Sequence, residues 1–409
     1  MTHKIAIISE SFPPYGGGGI DSSHFNLYKK FKAHGYQVRV FTFLDYKIVS
    51  DNEDIFRFGP SPFLKKMIII MYSFINKFRR NILKKKEKGK TAYQFSTVII
   101  SNLGSYKMNK SLKKYAPDYI ILPDHGVPGY MIRKPRNSKI IHISHHNAIR
   151  FLGNELIGFQ SESDIKMAVD IERKALKKAD FVICPSSYMK EVFIQTFGQN
   201  IPVSVIPNIV SEELITTIEK KDIRTIIGLP ADSLLVYIPS ACSIFKGSKF
   251  VFEIIRRLTM NTSGNIGFYL SDDLNNELKY LLNFLPYKNN IYTPGYTDYI
   301  TNISLIKSCD ICVSPTLIEN FSMAILEANF CGLPVITFDI GGTSDIIENE
   351  MNGFIVPYLD IESLIMKATQ LLNEKNKLNV MKESSFKFVN EKFNSEKIFN
   401  VFLQTMQII

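Results

Sequence analysis

Residues 319–336 read ENFSMAILEANFCGLPVI, and this stretch decides how the chain is to be understood. It opens on one carboxylate, Glu319, and places a second, Glu327, inside an otherwise apolar run. The preceding residues, DICVSPTLIEN, form a buried strand pattern leading into a loop that ends at Glu319. A helix is expected from Phe321 or Ser322 through Asn329, stopped at Cys331 and Gly332, with LPVITFD as the next strand. The first amides of such a helix lack intrahelical partners and sit at the positive end of its dipole, so they suit a diphosphate. On a rise of ~1.5 Å per residue the two carboxylates stand roughly 10 Å apart. A nucleoside diphosphate sugar carries hydroxyls at both ends and phosphates between, and carboxylates are good acceptors for paired hydroxyls. The spacing thus predicts two polyol clamps with an anion site between them.

Working outward, short β-type runs alternate with helical patterns. KIAIIS, YQVRVFTF, STVIIS (96 onward), DYIILP, KIIHIS and DFVICPS form a first series. From about Ser211 the pattern restarts with LLVYIPS, IGFYLS, NIYTPG, DICVSP, LPVITFD and GFIVPY. The alternation predicts an α/β protein of two doubly wound parallel-sheet domains facing a cleft. At 409 residues the chain is also too long for one ordinary core. The hinge is placed at VIPNIVSEEL, 205–214, which gives domains of 1–208 and 209–385. The remainder, 386–409, is expected as a helix returning toward the N-terminal domain.

In sheets of this kind ligands lie beyond the carboxyl ends of the strands. The glycines Gly16 to Gly19 follow the first strand and can let backbone amides approach phosphate or sugar, before a helix capped by Asp21, Ser22 or Ser23. A nicotinamide cofactor is disfavoured because the third glycine of GxGxxG is missing. SIFKGSKF, 243–250, supplies Lys246 as a compact cation for a phosphate, with Gly247 closing the turn. Asp272 and Asp273 are read as a helix N-cap rather than a metal site. Cys309 and Cys312 form a CxxC with no second pair, which points to a structural role.

Composition sets the remaining bounds. Apolar content of 45% and charged content of 22% are those of a globular protein. Five scattered cysteines predict a reducing cytoplasm, and Met1 to Ile8 holds only a strand-sized apolar run, which predicts no signal peptide. Between Phe63 and Lys90 lie eight lysines, two arginines and one glutamate, so nearly all of the formal charge of +10 sits there. Ile68, Met71, Ile75, Phe78 and Ile82 recur among them at helical spacing. This basic amphipathic stretch predicts contact with an anionic membrane surface, against the alternative of a helix covering a neighbouring core. Nucleic acid is not expected as a partner.

Glu319 and Glu327 in this setting resemble the Glu-x7-Glu motif of retaining GT-B glycosyltransferases, in particular glycosyltransferase family four. SESFPPYGGGG is similar to that family's glycine loop, VIPNIV to its hinge, and 319–356 to its donor-binding core. The resemblance implies that Glu319 and Asn320 contact the transferred sugar and that Glu327 holds the ribose. It gives Lys246 the diphosphate, the amides of Phe321, Ser322, Met323 and Ala324 the sugar and distal phosphate, and Gly17 and Gly18 the donor–acceptor junction. The family's catalytic histidine falls best on His145, with its neighbour His146 as the residue that could displace it, and Lys246 and Glu319 complete the implied catalytic set. Ala241 stands where many members carry an arginine, and Ile209 where glycine usually follows the hinge asparagine. The implied activity is metal-independent, retaining transfer of a hexose from a nucleotide sugar, with no cofactor, to a glycan or lipid-linked acceptor. The setting would be bacterial O-antigen, capsule or lipopolysaccharide synthesis at the inner face of the cell membrane. A non-catalytic carbohydrate-binding partner, or an epimerase or phosphorylase of the same architecture, are the competing readings.

Overall fold

The computed structural model describes residues 3–46, 53–82 and 90–407, with 78–82 described by backbone alone. The chain divides into two compact units, Met1–Ile209 with Ile398–Ile409, and Val210–Lys397. The returning segment therefore starts at 398 rather than 386, because the helix Lys375–Lys392 stays with the second unit. Within the first unit Phe399 packs edge-on against Phe31 with ring centroids 5.0 Å apart.

The first unit holds seven strands, β1 (Lys4–Ser9), β2 (Gln37–Thr42), β3 (Ile55–Arg57), β4 (Tyr119–Pro123), β5 (Lys139–Ile143), β6 (Phe181–Cys184) and β7 (Val203–Val205). Their spatial order is β3-β2-β1-β4-β5-β6-β7, and every pairing is parallel. Parallel strands need helical crossovers that cover both faces of the sheet, which is why Ile5, Ala6, Ile7 and Ile8 are all buried without alternation. The second unit repeats the scheme with β8 (Leu234–Ile238), β9 (Ile266–Leu270), β10 (Ile291–Tyr292), β11 (Ile311–Ser314), β12 (Val335–Phe338) and β13 (Gly353–Val356). Its order is β10-β9-β8-β11-β12-β13, again all parallel. Val236, Phe268, Val313 and Ile336 from this sheet form one core with Val251, Ile254, Ile255 and Leu258 of the helix Ser248–Asn261.

In both sheets the chain winds outward in one direction from the first strand, then returns to its other side. The switch points lie between β1 and β4 and between β8 and β11. Crevices at such points, beyond the carboxyl ends of the strands, are where doubly wound folds bind ligands.

Three local expectations are corrected. STVIIS is not a strand but part of the helix Gln94–Tyr115. Val98, Ser101, Ser105, Met108, Leu112 and Tyr115 are its buried stripe, a helical period longer than the six-residue window that read as β. The helix after the glycine loop is Gly19–Ala33, capped by Gly18, and Asp21 sits in its first turn. Asn275, not Asp272 or Asp273, caps Asn276–Asn283 through its side chain. The strands β3 and β7, three residues each, carry too little pattern to be legible in the sequence.

Candidate active site

At the second unit's switch point the loops after β8 and β11 are tied together. Leu317 and Ile318 donate their amides to the Phe245 carbonyl at 2.9 and 3.3 Å. Gly247 has φ +78°, and a Cβ there would stand 1.9 Å from the Pro315 carbonyl oxygen, so the turn below Lys246 closes only with glycine. Lys246 Nζ then donates to Glu319 Oε2 at 2.5 Å, while Glu319 Oε1 accepts from the Asn320 amide at 2.9 Å. Gly341, at φ +60°, backs onto this point: a Cβ would lie 2.1 Å from the Glu319 carbonyl oxygen. The Gly342 amide donates to the Asn320 carbonyl at 2.8 Å. The two loops and the Gly341–Gly342 turn thus fix the backbone of Glu319 and Asn320.

The helix expected here is Met323–Phe330, with Ser322 as its cap and the cap hydroxyl accepting from the Ile325 amide at 3.4 Å. Asn320, Phe321, Ser322 and Met323 are buried, and Ala324 is half-buried. Ala241, in place of the family's arginine, is wholly buried beside the sheet. Lys249, the nearest other lysine in sequence, lies over the Phe250 ring at 4.7 Å.

Glu327 lies farther along that helix, 9% exposed. Burial raises its carboxyl to about 8, and the neighbouring Tyr299 hydroxyl opposes the rise without making a well-directed hydrogen bond. The acid is therefore mostly neutral at pH 7, not the ionised clamp that its spacing predicts. A neutral carboxyl still offers one donor and an acceptor to a pair of hydroxyls.

The first unit's switch point carries a different set. Glu10 follows β1 directly, and the loop after it is held by Asp45 and Arg57, a buried ion pair. Phe12 donates its amide to Asp45 at 3.1 Å, and Arg57 donates to the Phe12 and Pro13 carbonyls at 3.0 and 2.8 Å. Asp21 draws in the amides of Ser11 and Gly17 at 3.2 and 3.4 Å. Burial and the nearby Glu10 lift its carboxyl to about 7. Gly17 and Gly18 are exposed, and nothing lies within 4 Å of where their Cβ atoms would be. That open space is what a ligand approaching the backbone requires.

Asp124, immediately after β4, organises the two candidate histidines. Its carboxylate accepts from the amides of His145, His146 and Asn147 at 2.8–2.9 Å and from the Ser144 hydroxyl at 3.1 Å. His145 is buried with its ring against His24, centroids 5.6 Å apart, and burial, with His24 and His142, holds it well below the usual histidine range. His146 is half-buried; its Nε2 meets Gln94 Oε1 at 3.0 Å, and its ring lies 4.5 Å from that of His125. His125 Nδ1 is paired with Glu10 Oε1. The structure therefore groups His146, and not His145, with a Glu10–His125 pair that sequence reading did not single out. The cue existed: Glu10 and His125 each stand at the carboxyl end of a strand. Only the strand order makes those two ends neighbours.

One surface stands apart from these sites. The helix Pro62–Ile82 buries Ile68, Tyr72 and Asn76, with the Tyr72 hydroxyl donating to Asp164 at 2.5 Å. Ile68 is thus buried, as in a helix that covers a neighbouring core, whereas Met71 and Ile75 face out. Phe63, Met67, Ile70, Met71 and Phe74 make an exposed apolar stripe on the opposite side, Phe63 and Phe74 being 75% and 69% exposed. Lys66 and Lys77 flank it at helical spacing. The side chains of Phe78, Arg79 and Ile82, and all of Lys84, Lys85 and Lys86, lie outside the described residues. Among the described residues no helix is long and apolar enough to cross a membrane.

Two parallel-sheet units, each with chemistry-bearing loops at its switch point, are the GT-B architecture. The family comparisons agree: residues 219–388 match the model "Glycosyl transferases group 1", and residues 17–214 match "Glycosyltransferase Family 4". The chain belongs to this glycosyltransferase family. Among curated relatives it is 29% identical, over 252 residues, to the UDP-Gal:alpha-D-GlcNAc-diphosphoundecaprenol alpha-1,3-galactosyltransferase of Escherichia coli. That match takes in 59% of this chain and 64% of the relative, so it spans just under two thirds of the relative's length. In fold it is similar to the sucrose-phosphate synthase of Thermosynechococcus elongatus, with TM-score 0.75, 19% identity, and 99% and 98% of the two chains covered. It is also similar to HepE of Anabaena in complex with UDP and glucose, with TM-score 0.72, 17% identity and both chains covered in full.

Proposed function

We propose that this chain transfers a hexose, with retention of anomeric configuration and without a metal ion, from a UDP-sugar to a hydroxyl of a lipid-linked glycan. The observation that carries the reading is the Lys246–Glu319 pair at the head of the Met323–Phe330 helix. Lys246 and the amides at the helix start supply the positive charge that a departing diphosphate needs, the task a metal performs in other transferases. Glu319 and Asn320 then meet the transferred sugar, and Phe321, Ser322, Met323 and Ala324 offer their backbone to the sugar and distal phosphate. Glu327 takes the ribose hydroxyls. Gly17 and Gly18 present open backbone to a ligand, and of the two histidines the half-buried His146 is the more accessible. No cofactor beyond the nucleotide sugar is required. The name of the Escherichia coli relative supports the UDP-sugar and the diphosphoundecaprenol-linked acceptor; a role in bacterial surface polysaccharide synthesis on the inner face of the membrane goes with that reading.

A lipid-linked acceptor also gives the helix Pro62–Ile82 a role. Its exposed apolar stripe, flanked by lysines and followed by the densest basic run in the chain, fits a peripheral element resting on an anionic bilayer. Replacing Phe63, Met67, Ile70 and Phe74 together with serine should release the protein from vesicles containing phosphatidylglycerol. Unchanged co-sedimentation would remove the membrane role.

The test of the activity is incubation with a panel of UDP-sugars and GlcNAc-diphosphoundecaprenol, in the presence of EDTA. Expected are a glycosylated lipid and an α-anomeric proton coupling when an α-linked donor is used. Loss of turnover with EDTA, or an inverted product, would overturn the mechanism; donor binding without any transfer or hydrolysis would favour the non-catalytic reading.

A further inference from the structure

The first unit holds a cavity of about 400 Å³ that none of the roles above uses. It lies between the helices Glu162–Leu176 and Ser187–Phe197, beside the short turn Ala148–Phe151. Its size is within the range of pockets that take small organic ligands. Ile149, Val169 and Val192 give it an apolar wall, and Arg150, Arg173 and Gln195 give it a polar one. Among the described residues no carboxylate lines it, so two cations share the cavity without an acid in its wall. Glu172, next to Arg173 in the chain, is buried and turned to His142, with Oε1 at 3.3 Å from Nε2.

Both guanidinium groups are oriented by neutral acceptors. Arg150 donates from Nε to the His146 carbonyl at 2.9 Å, and its terminal nitrogen meets the Met189 sulfur at 3.5 Å. Arg173 donates to the Thr196 carbonyl at 3.1 Å, and its guanidinium lies over the Phe197 ring at 5.5 Å. Contacts of this kind fix the direction of a side chain and leave its charge in place. A guanidinium presents its N–H donors as a planar fork that matches phosphate oxygens in pairs. An anion between the two arginines would also relieve the repulsion of like charges that share one cavity.

We propose that this cavity binds an isoprenyl diphosphate, with Arg150 and Arg173 on the diphosphate and Ile149, Val169 and Val192 against the hydrocarbon that follows it. The choice of ligand rests on the transferase reading above: the carrier end of a lipid-linked acceptor joins a diphosphate to an isoprenoid chain, and so has the anionic and the apolar half that the two walls ask for. Inorganic pyrophosphate offers only the first half. A nucleoside diphosphate would set a polar ribose against the apolar wall. The cavity holds the carrier by non-covalent contacts and takes no part in making or breaking a bond.

The test is calorimetry on the full-length protein, with and without saturating UDP, using geranyl diphosphate, geranyl monophosphate and inorganic pyrophosphate as probes. Geranyl diphosphate should bind at one site per chain whether or not UDP is present, and about tenfold or more tighter than either other probe. Arg173→Gln should weaken it by about ten- to a hundredfold, and Arg173→Lys, which keeps the charge without the fork, should recover part of the loss. Gln195 is exposed, so Gln195→Glu should leave the melting temperature in place. The carboxylate it adds to the wall should still weaken geranyl diphosphate about tenfold or more. Should Arg173→Gln fail to fold, Gln195→Glu decides alone. Unchanged affinity in Gln195→Glu overturns the proposal, as does pyrophosphate binding as tightly as geranyl diphosphate. A protein that binds UDP and ignores geranyl diphosphate loses this site and keeps the transferase reading. One that binds geranyl diphosphate and no UDP keeps the site and loses the transferase reading.

Discussion

The two switch points have the same topology and opposite chemistry. In the second unit, strand ends at β8 and β11 carry Lys246 and Glu319, and the loops between them are closed around glycines that admit no side chain. In the first unit, strand ends at β1 and β4 carry Glu10 and His125, and the glycine loop beside them is open. One site is built so that its charges are already in position. The other presents a titratable pair next to free space. A diphosphate leaving group is well served by the first arrangement, because preorganised charge acts most where charge develops.

The largest expected effect breaks the second unit's side of this contrast. Lys246→Ala should lower turnover by about two to three orders of magnitude, the range for losing one preorganised electrostatic contact, while UDP affinity falls much less. Lys246→Arg should recover only part of the rate, since a planar guanidinium is a poor substitute for a point ammonium. Steady-state transfer set beside calorimetry of UDP binding separates the two quantities. Near-normal turnover in Lys246→Ala would shift attention to Lys249.

The glycines offer a sharper contrast. Gly341→Ala must place a Cβ against the Glu319 carbonyl at positive φ, so it should destabilise the protein by about 1–3 kcal/mol and lower activity with it. Gly18→Ala, at φ −77° with open space around it, should leave the melting temperature unchanged and still reduce transfer. Equal thermal stabilities in the two variants would show that the closed and open loops are not different after all.

Glu327 tests whether the buried acid works as a neutral group. If so, Glu327→Gln should keep UDP affinity close to wild type, and Glu327→Ala should cost about 0.5–1.5 kcal/mol, the value of an ordinary hydrogen bond. A loss of about 1.5–3 kcal/mol in both would mean that the ligand draws the carboxylate into its ionised form. The stability of the free protein gives an independent reading. A carboxyl raised from 4.5 to about 8 in the folded state favours folding below 4.5, and that advantage is lost as pH rises toward 8. Relative to wild type, Glu327→Gln should therefore gain a few degrees in melting temperature between pH 6 and about 8, and gain little at pH 4.5. A difference that does not change with pH would place Glu327 outside the buried, neutral state.

The sequence by itself determined the alternation of elements and the two parallel sheets, and it placed Lys246 and Glu319 in the loops after β8 and β11 and Glu327 in the helix that follows, because each of these is written in local pattern. Strand and helix periods show within ten residues, and the second unit's polar residues lie in loops whose flanking strands are unmistakable. The helix at Gln94–Tyr115 resembles a strand locally because STVIIS, four of whose six residues are β-branched, is ambiguous until the longer stripe is followed. Other features belonged to the tertiary structure. Which strand ends become neighbours depends on the winding order, so the Glu10–His125 pair, 115 positions apart, has no local signature. Whether an acid is charged depends on how much water the surrounding packing removes, so Glu327 could be located from its spacing but its protonation could not. The same packing distinguishes His145 from His146. Adjacent residues on one loop, held by one aspartate, have different surroundings because one ring is turned into the core and the other is not.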